Sequence, residues 1–90
     1  MSTPLPRALA RPVKRSFSIR GHRTSISLES AFWEALKEAA TREGLSLASL
    51  VGRIDEGRGG AGLSSAVRIW LLAYFRSRTA AESYDGGNRD

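Results

Sequence analysis

The stretch HRTSISLESAFWEALKEAATREGLSLASLVGRID, residues 22–55, decides how the rest of the chain is read. Its first part alternates. Thr24, Ile26 and Leu28 fall on one side and Arg23, Ser25 and Ser27 on the other, the period of a strand with one buried face. After Glu29 the period lengthens. Phe32, Leu36, Ala39 and Ala40, with Trp33 beside them, make one apolar stripe; Glu34, Lys37, Glu38 and Arg42 lie outside it, which predicts an amphipathic helix. Gly44 is placed to end that helix in the left-handed conformation, with Leu45 available for the accompanying apolar contact. Ser46 then reads as an N-cap, and Leu45 with Leu50 as a hydrophobic staple. Leu47, Leu50, Val51 and Ile54 recur at helical spacing, so a second helix runs to about Glu56.

Upstream, Phe17 and Ile19 alternate on odd numbers, whereas Thr24, Ile26 and Leu28 are even. A strand cannot change faces without an extra residue, so Gly21-His22 reads as a bulge or a turn, and Phe17–Ile19 as a short strand candidate. Residues 1–13 contain Pro4, Pro6 and Pro12, show no period, and read as a flexible basic arm. Downstream, Gly57 to Gly62 is a loop. Ser64 or Ser65 is expected to cap a third helix through about Arg78. That helix is apolar nearly all round (Ala66, Val67, Ile69, Trp70, Leu71, Leu72, Tyr74, Phe75), which predicts burial on more than one side. Residues 79–90 read as a disordered tail, leaving 14–78 as the domain.

One strand followed by helices implies a mainly α chain with a single short β-strand. An unpaired strand leaves its backbone groups exposed and is not stable alone. The expectation is therefore an intertwined homodimer in which strand 23–28 pairs antiparallel with its symmetry mate. Thr24, Ile26, Leu28, Phe32, Leu36, Leu50, Val51 and Ile54 would form the shared dimer core.

Composition narrows the function. The chain has 90 residues, 14 Lys and Arg against 9 acids, and a net charge of +5. Arg7, Arg11, Lys14, Arg15, Arg20 and Arg23 all precede the first acid, Glu29, so the positive excess lies in the N-terminal third. A basic arm on a near-neutral body is a nucleic-acid footprint, and the bias towards Arg favours phosphate. With no cysteine and a single histidine, His22, neither a thiolate nor a zinc site is expected, and no cofactor. Gly57, Gly59 and Gly62 match G-x-G-x-x-G in spacing, but a helix precedes them and no βαβ unit fits the length. No catalytic spacing of Ser, His and Asp is present, so no enzyme is expected. No run approaches the roughly 18 apolar residues of a membrane span, and no secretory h-region follows the first charges, which predicts a cytoplasmic chain.

The order of strand, helix, glycine turn and helix in residues 22–55, behind a basic N-terminus, resembles the ribbon-helix-helix family of DNA-binding proteins. GHRTSISLESAFWEALKEAA and the later LSSAVRIWLL are similar to a bacterial subgroup with an added C-terminal helix. The resemblance implies an intermolecular ribbon that enters the major groove of double-stranded DNA, with outward strand residues Arg23, Ser25 and Ser27 reading bases. It also implies phosphate contacts at the start of the second helix, from Gly44, Ser46 and Leu47, joined by Lys14, Arg15, Arg20 and His22. The expected role is a nucleoid-associated transcriptional regulator, a repressor that occludes a promoter. The alternative is a protein-interaction or antitoxin-like module that uses the fold as a dimer scaffold. In either case residues 64–78 could build a tetramer or receive a protein partner.

Overall fold

The computed structural model describes residues 11–83, with side chains through Thr79. Five elements follow in order: β1 (Val13–Ile19), β2 (His22–Leu28), α1 (Ser30–Glu43), α2 (Leu47–Gly57) and α3 (Leu63–Ser83). Residues 1–10, most of the expected arm, and 84–90 of the expected tail lie outside the described residues.

The first two elements correct the expected ribbon. β2 pairs antiparallel with β1 of the same chain, from Ile19 opposite His22 to Val13 opposite Leu28. The short candidate Phe17–Ile19 is a full strand of seven residues. The change of parity marks a two-residue reversal, not a bulge: Arg20 and Gly21 both have positive φ, 52° and 80°. Two left-handed residues give the reversal the twist that flanking strands require. The turn thus sits one residue earlier than Gly21-His22. In this register Phe17 and Ile19 share a face with Thr24, Ile26 and Leu28, so odd and even positions meet the same core. The two-stranded ribbon is complete within one chain.

Local signals in α1 and α2 act as read. Gly44 has φ 69°, and the Leu45 N–H donates to the Ala40 carbonyl at 2.9 Å, closing the helix end. Ser46 Oγ accepts from the Ser49 N–H at 3.0 Å. The third helix departs from expectation at both ends. It begins at Leu63, where the Gly62 carbonyl accepts from Ala66 N–H, and it continues to Ser83, past Arg78. Ser64 caps no helix. Its hydroxyl accepts from the Ser27 N–H at 3.2 Å, on the edge of β2 turned away from β1. Arg68 donates to the Ser27 carbonyl from the same side and holds Glu29 at 2.9 Å. α3 therefore closes the Ser27 end of the β2 edge, a protection that exposed strand edges need.

The core lies between the inner face of the hairpin and all three helices. Ile26, Leu28, Leu36, Leu50, Val51 and Ile54 are buried, with Ile19, Trp33, Ala39, Ala40, Val67 and Leu71 around them. Thr24 and Phe32, expected in the core, are half-buried. Trp33 takes the place expected of Phe32: its indole N–H donates to the Val13 carbonyl at 2.9 Å and its ring lies 5.9 Å from that of Phe17. α3 is buried on one side only. Ile69 is 65% exposed and Leu72 59%, because the helix has a single layer to pack against.

Glu29 gives this clasp a pH dependence. Hydrogen bonding from its own backbone N–H, then from the Arg68 guanidinium, holds its carboxyl below the ordinary 4.5. A depressed folded value means the stabilisation is present above the unfolded pKa and lost as pH falls through the folded one. Thermal melts of the wild type and Glu29→Gln should therefore differ most near neutral pH and converge only in acid, as pH falls below the ordinary 4.5 and through the depressed folded value. A gap that stays constant through that range would remove the ionised carboxylate as its cause.

Candidate nucleic-acid interface

The outer face of the hairpin follows from the register. Three cross-strand pairs point away from the core: Ser18 with Arg23, Ser16 with Ser25, and Lys14 with Ser27. They alternate with the pairs that exchange backbone hydrogen bonds, starting from the Ile19–His22 pair at the turn, so their side chains stand close together. Ser16 Oγ and Ser25 Oγ are 3.2 Å apart. The face holds two cations, four hydroxyls, no acid and no large apolar group, and all but the half-buried Ser27 are exposed. Arg23 has no ion pair among the described residues, so its guanidinium fork is available to a ligand.

Cations crowd the turn end of the hairpin, on the side that meets the end of α2. Arg20, Arg23 and Arg58 line one concavity of about 260 Å³, with His22 and Asp55 among them. Arg20 is anchored by Glu56 at 2.6 Å, and Arg58 by Asp55 at 2.6 Å. A second concavity of about 390 Å³ joins Ser18 and Arg20 to Leu45, Ala48, Ser49 and Arg53. The middle and last turns of α2 thus stand beside the turn end of the hairpin, where Arg20 reaches the Gly52 carbonyl and Glu56, and the concavity runs on from there to Ala48 and Ser49 in the first turn. Among the described residues, the Leu47 and Ala48 N–H groups have no protein acceptor, as expected of a helix start. Those donors and the helix dipole make the spot favourable for an anion.

The residues read from the sequence therefore separate into groups. Arg23, Ser25 and Ser27 share the outer face as expected. Lys14 lies on that same face, opposite Ser27, rather than on the rim with Arg20 and His22. Arg15 points the other way, its guanidinium 5.2 Å from the centre of the Trp33 ring. In the α1–α2 turn, the Gly44 N–H and the Ser46 hydroxyl are already engaged within the chain, leaving Leu47 and Ala48 as the donors there. Ser16 and Ser18 were missed. Their signal is the alternation Lys14-Ser16-Ser18, legible once β1 is known to be a strand. Arg53 was missed because a helical Arg on the polar side of α2 has no distinguishing local pattern.

No helix among the described residues is long and apolar enough to cross a membrane, and no group of three acidic, His or Cys side chains is placed to hold a metal. No curated protein and no solved structure matches the chain. A family comparison does: residues 12–75, from just before β1 to within α3, match the ribbon-helix-helix domain. Members of that family are typically non-catalytic and generally bind DNA as dimers. With the hairpin, the two capped helices and that match over most of its length, the chain belongs to the ribbon-helix-helix domain family, a family typically of DNA-binding regulators.

Proposed function

We propose that this chain is a sequence-specific, double-stranded-DNA-binding transcriptional regulator, a repressor, that presents its own β1–β2 hairpin to the major groove. The observation that carries the reading is the acid-free outer face of Lys14, Ser16, Ser18, Arg23, Ser25 and Ser27. A major groove about 12 Å wide admits a two-stranded ribbon, and the strands of a ribbon lie about 4.8 Å apart. Arg23 is the residue able to take guanine O6 and N7 together, and the serines donate or accept as the opposing base requires. Arg20, His22, Arg53 and the Leu47 and Ala48 N–H groups, at the turn end of the hairpin and along α2, are the candidates for phosphate contacts. Arg7 and Arg11 add sequence-independent attraction. Repression follows from occupancy, since a protein seated in the groove excludes polymerase, and such a regulator works at the cytoplasmic nucleoid.

Each copy carries a complete ribbon, so a dimer would read two half-sites related by a two-fold axis. Selection from a randomised duplex pool at about 150 mM salt tests this, because low salt lets phosphate binding dominate. Enrichment of a short two-fold-symmetric site is the expected result. A flat, weakly retained pool would overturn sequence-specific reading and favour the scaffold alternative, whose supporting observation is the exposure of Ile69 and Leu72.

A further inference from the structure

From the cleft between α2 and α3 we infer a binding site for a small amphiphilic carboxylate, a molecule with one anionic head and an apolar body. The site depends neither on the DNA reading nor on how copies of the chain assemble.

The cleft has a volume of about 480 Å³, within the about 300–1,000 Å³ of small-ligand sites. The α2–α3 loop, through Arg58 and Ala61, supplies part of its wall. Its depth is apolar: Ile54 of α2 and Ala66 of α3 are buried, and Trp70 beside them is half-buried. An apolar depth gives the body of a ligand its place out of water.

Charge selects the head group. The lining holds two cations, Arg53 and Arg58, and no acid. Arg58 is held still: its Nε donates to Asp55 at 2.6 Å, and one terminal nitrogen donates to the Ala61 carbonyl. Its other terminal nitrogen has no partner among the described residues, and neither has the Arg53 guanidinium. Asp55 offsets the charge of Arg58, which leaves about one net positive charge, that of Arg53, beside the cleft. One positive charge with unused donors matches a single carboxylate better than a phosphate dianion. A cation would be repelled, and a neutral apolar molecule would leave the donors unused. Arg53 is also a candidate phosphate contact, so a bound carboxylate would withdraw it from DNA, as an effector does. That consequence, unlike the site, rests on the DNA reading.

Titration of the full-length chain with sodium octanoate, followed by the indole N–H resonances of its two tryptophans, tests the assignment. The Trp70 signal should shift saturably, with a dissociation constant of about 1 mM or tighter. The Trp33 signal should stay in place, because that side chain is buried against the hairpin. Octan-1-ol, with the same chain and no charge, should bind about 10-fold more weakly or worse, having lost the charge-assisted hydrogen bonds. Arg53→Gln should weaken octanoate binding by a similar factor with an unchanged circular dichroism spectrum, since Arg53 is exposed. Ala73→Phe, at an exposed lining position, should fill the cleft and abolish binding, and it stands in should Arg53→Gln fail to fold. No saturable Trp70 shift, equal affinity for octanol, or undiminished octanoate binding by a folded variant would each overturn the inference.

Discussion

Ile26→Asp is expected to leave the chain unfolded at 25 °C, with loss of its helical circular dichroism and of any cooperative thermal transition. Ile26 is fully buried at the centre of β2, between the hairpin and the helices. Removing its branched side chain alone costs about 2–5 kcal/mol of transfer and cavity free energy. Placing a carboxyl there adds a desolvation cost of about 1–3 kcal/mol even when the group neutralises itself by taking a proton. A domain this small has little more than about 5 kcal/mol of total stability, so the combined loss exceeds it. Arg15 is the cross-strand neighbour of Ile26, and an ion pair could be imagined. Its guanidinium is already held over the Trp33 ring, and moving it under the ribbon would desolvate a second charge. A cooperative melt within about 10 °C of the wild type would show that the site admits water and that Ile26 does not close this core.

Arg23→Ala is expected to weaken binding to the selected operator about 5- to 150-fold, the equivalent of the about 1–3 kcal/mol that a bidentate guanine contact discriminates. The fold should be untouched, because Arg23 is exposed on the outer face. Binding to random duplex should fall far less, by no more than one lost phosphate charge, visible as a decrease of about one in the salt-dependence slope. Arg23→Lys sharpens the comparison: it keeps the charge and loses the fork, so specific binding should stay impaired while non-specific binding recovers. An equal loss by Arg23→Ala on every duplex would assign the residue to the phosphates instead. The serines predict smaller effects, since a single hydroxyl makes one neutral hydrogen bond in place of a charged pair.

The legible parts of this molecule are those decided by a few adjacent residues. Gly44 ends α1 because its backbone must be left-handed there, and Ser46 starts α2 because a hydroxyl is needed for an otherwise unbonded N–H. The stripe ending in Leu36 and Ala40 and the repeat Leu50, Val51, Ile54 name the buried sides of two helices without any knowledge of their partners. The alternation of Arg23, Ser25 and Ser27 against Thr24, Ile26 and Leu28 likewise assigns the two faces of β2. The family resemblance carried by residues 22–55 holds over residues 12–75.

What resisted reading depends on partners distant in the sequence. β1 was obscured at both ends. Its turn begins with Arg20, a residue type seldom placed at positive φ, and Arg15 occupies an inner-face position by lying over Trp33. Ser64 had the composition of a helix cap, but the nearest unpaired donor was Ser27, 37 residues away in the chain. The apolar circumference of α3 announced burial without saying by what. One layer of helix and hairpin covers Val67 and Leu71 and leaves Ile69 and Leu72 outside.

The sequence by itself determined α1 and α2 with their caps, the faces of β2 and the basic character of the N-terminal third, because each rests on side chains acting within one or two turns of backbone. Tertiary structure alone decided what β2 pairs with. Strand pairing is made by backbone groups that every residue carries, so the pattern of side chains names a face and leaves the neighbour open. β1 is joined to β2 by two residues, and closing so short a reversal costs far less entropy than capturing a second molecule. The ribbon therefore closes within the chain.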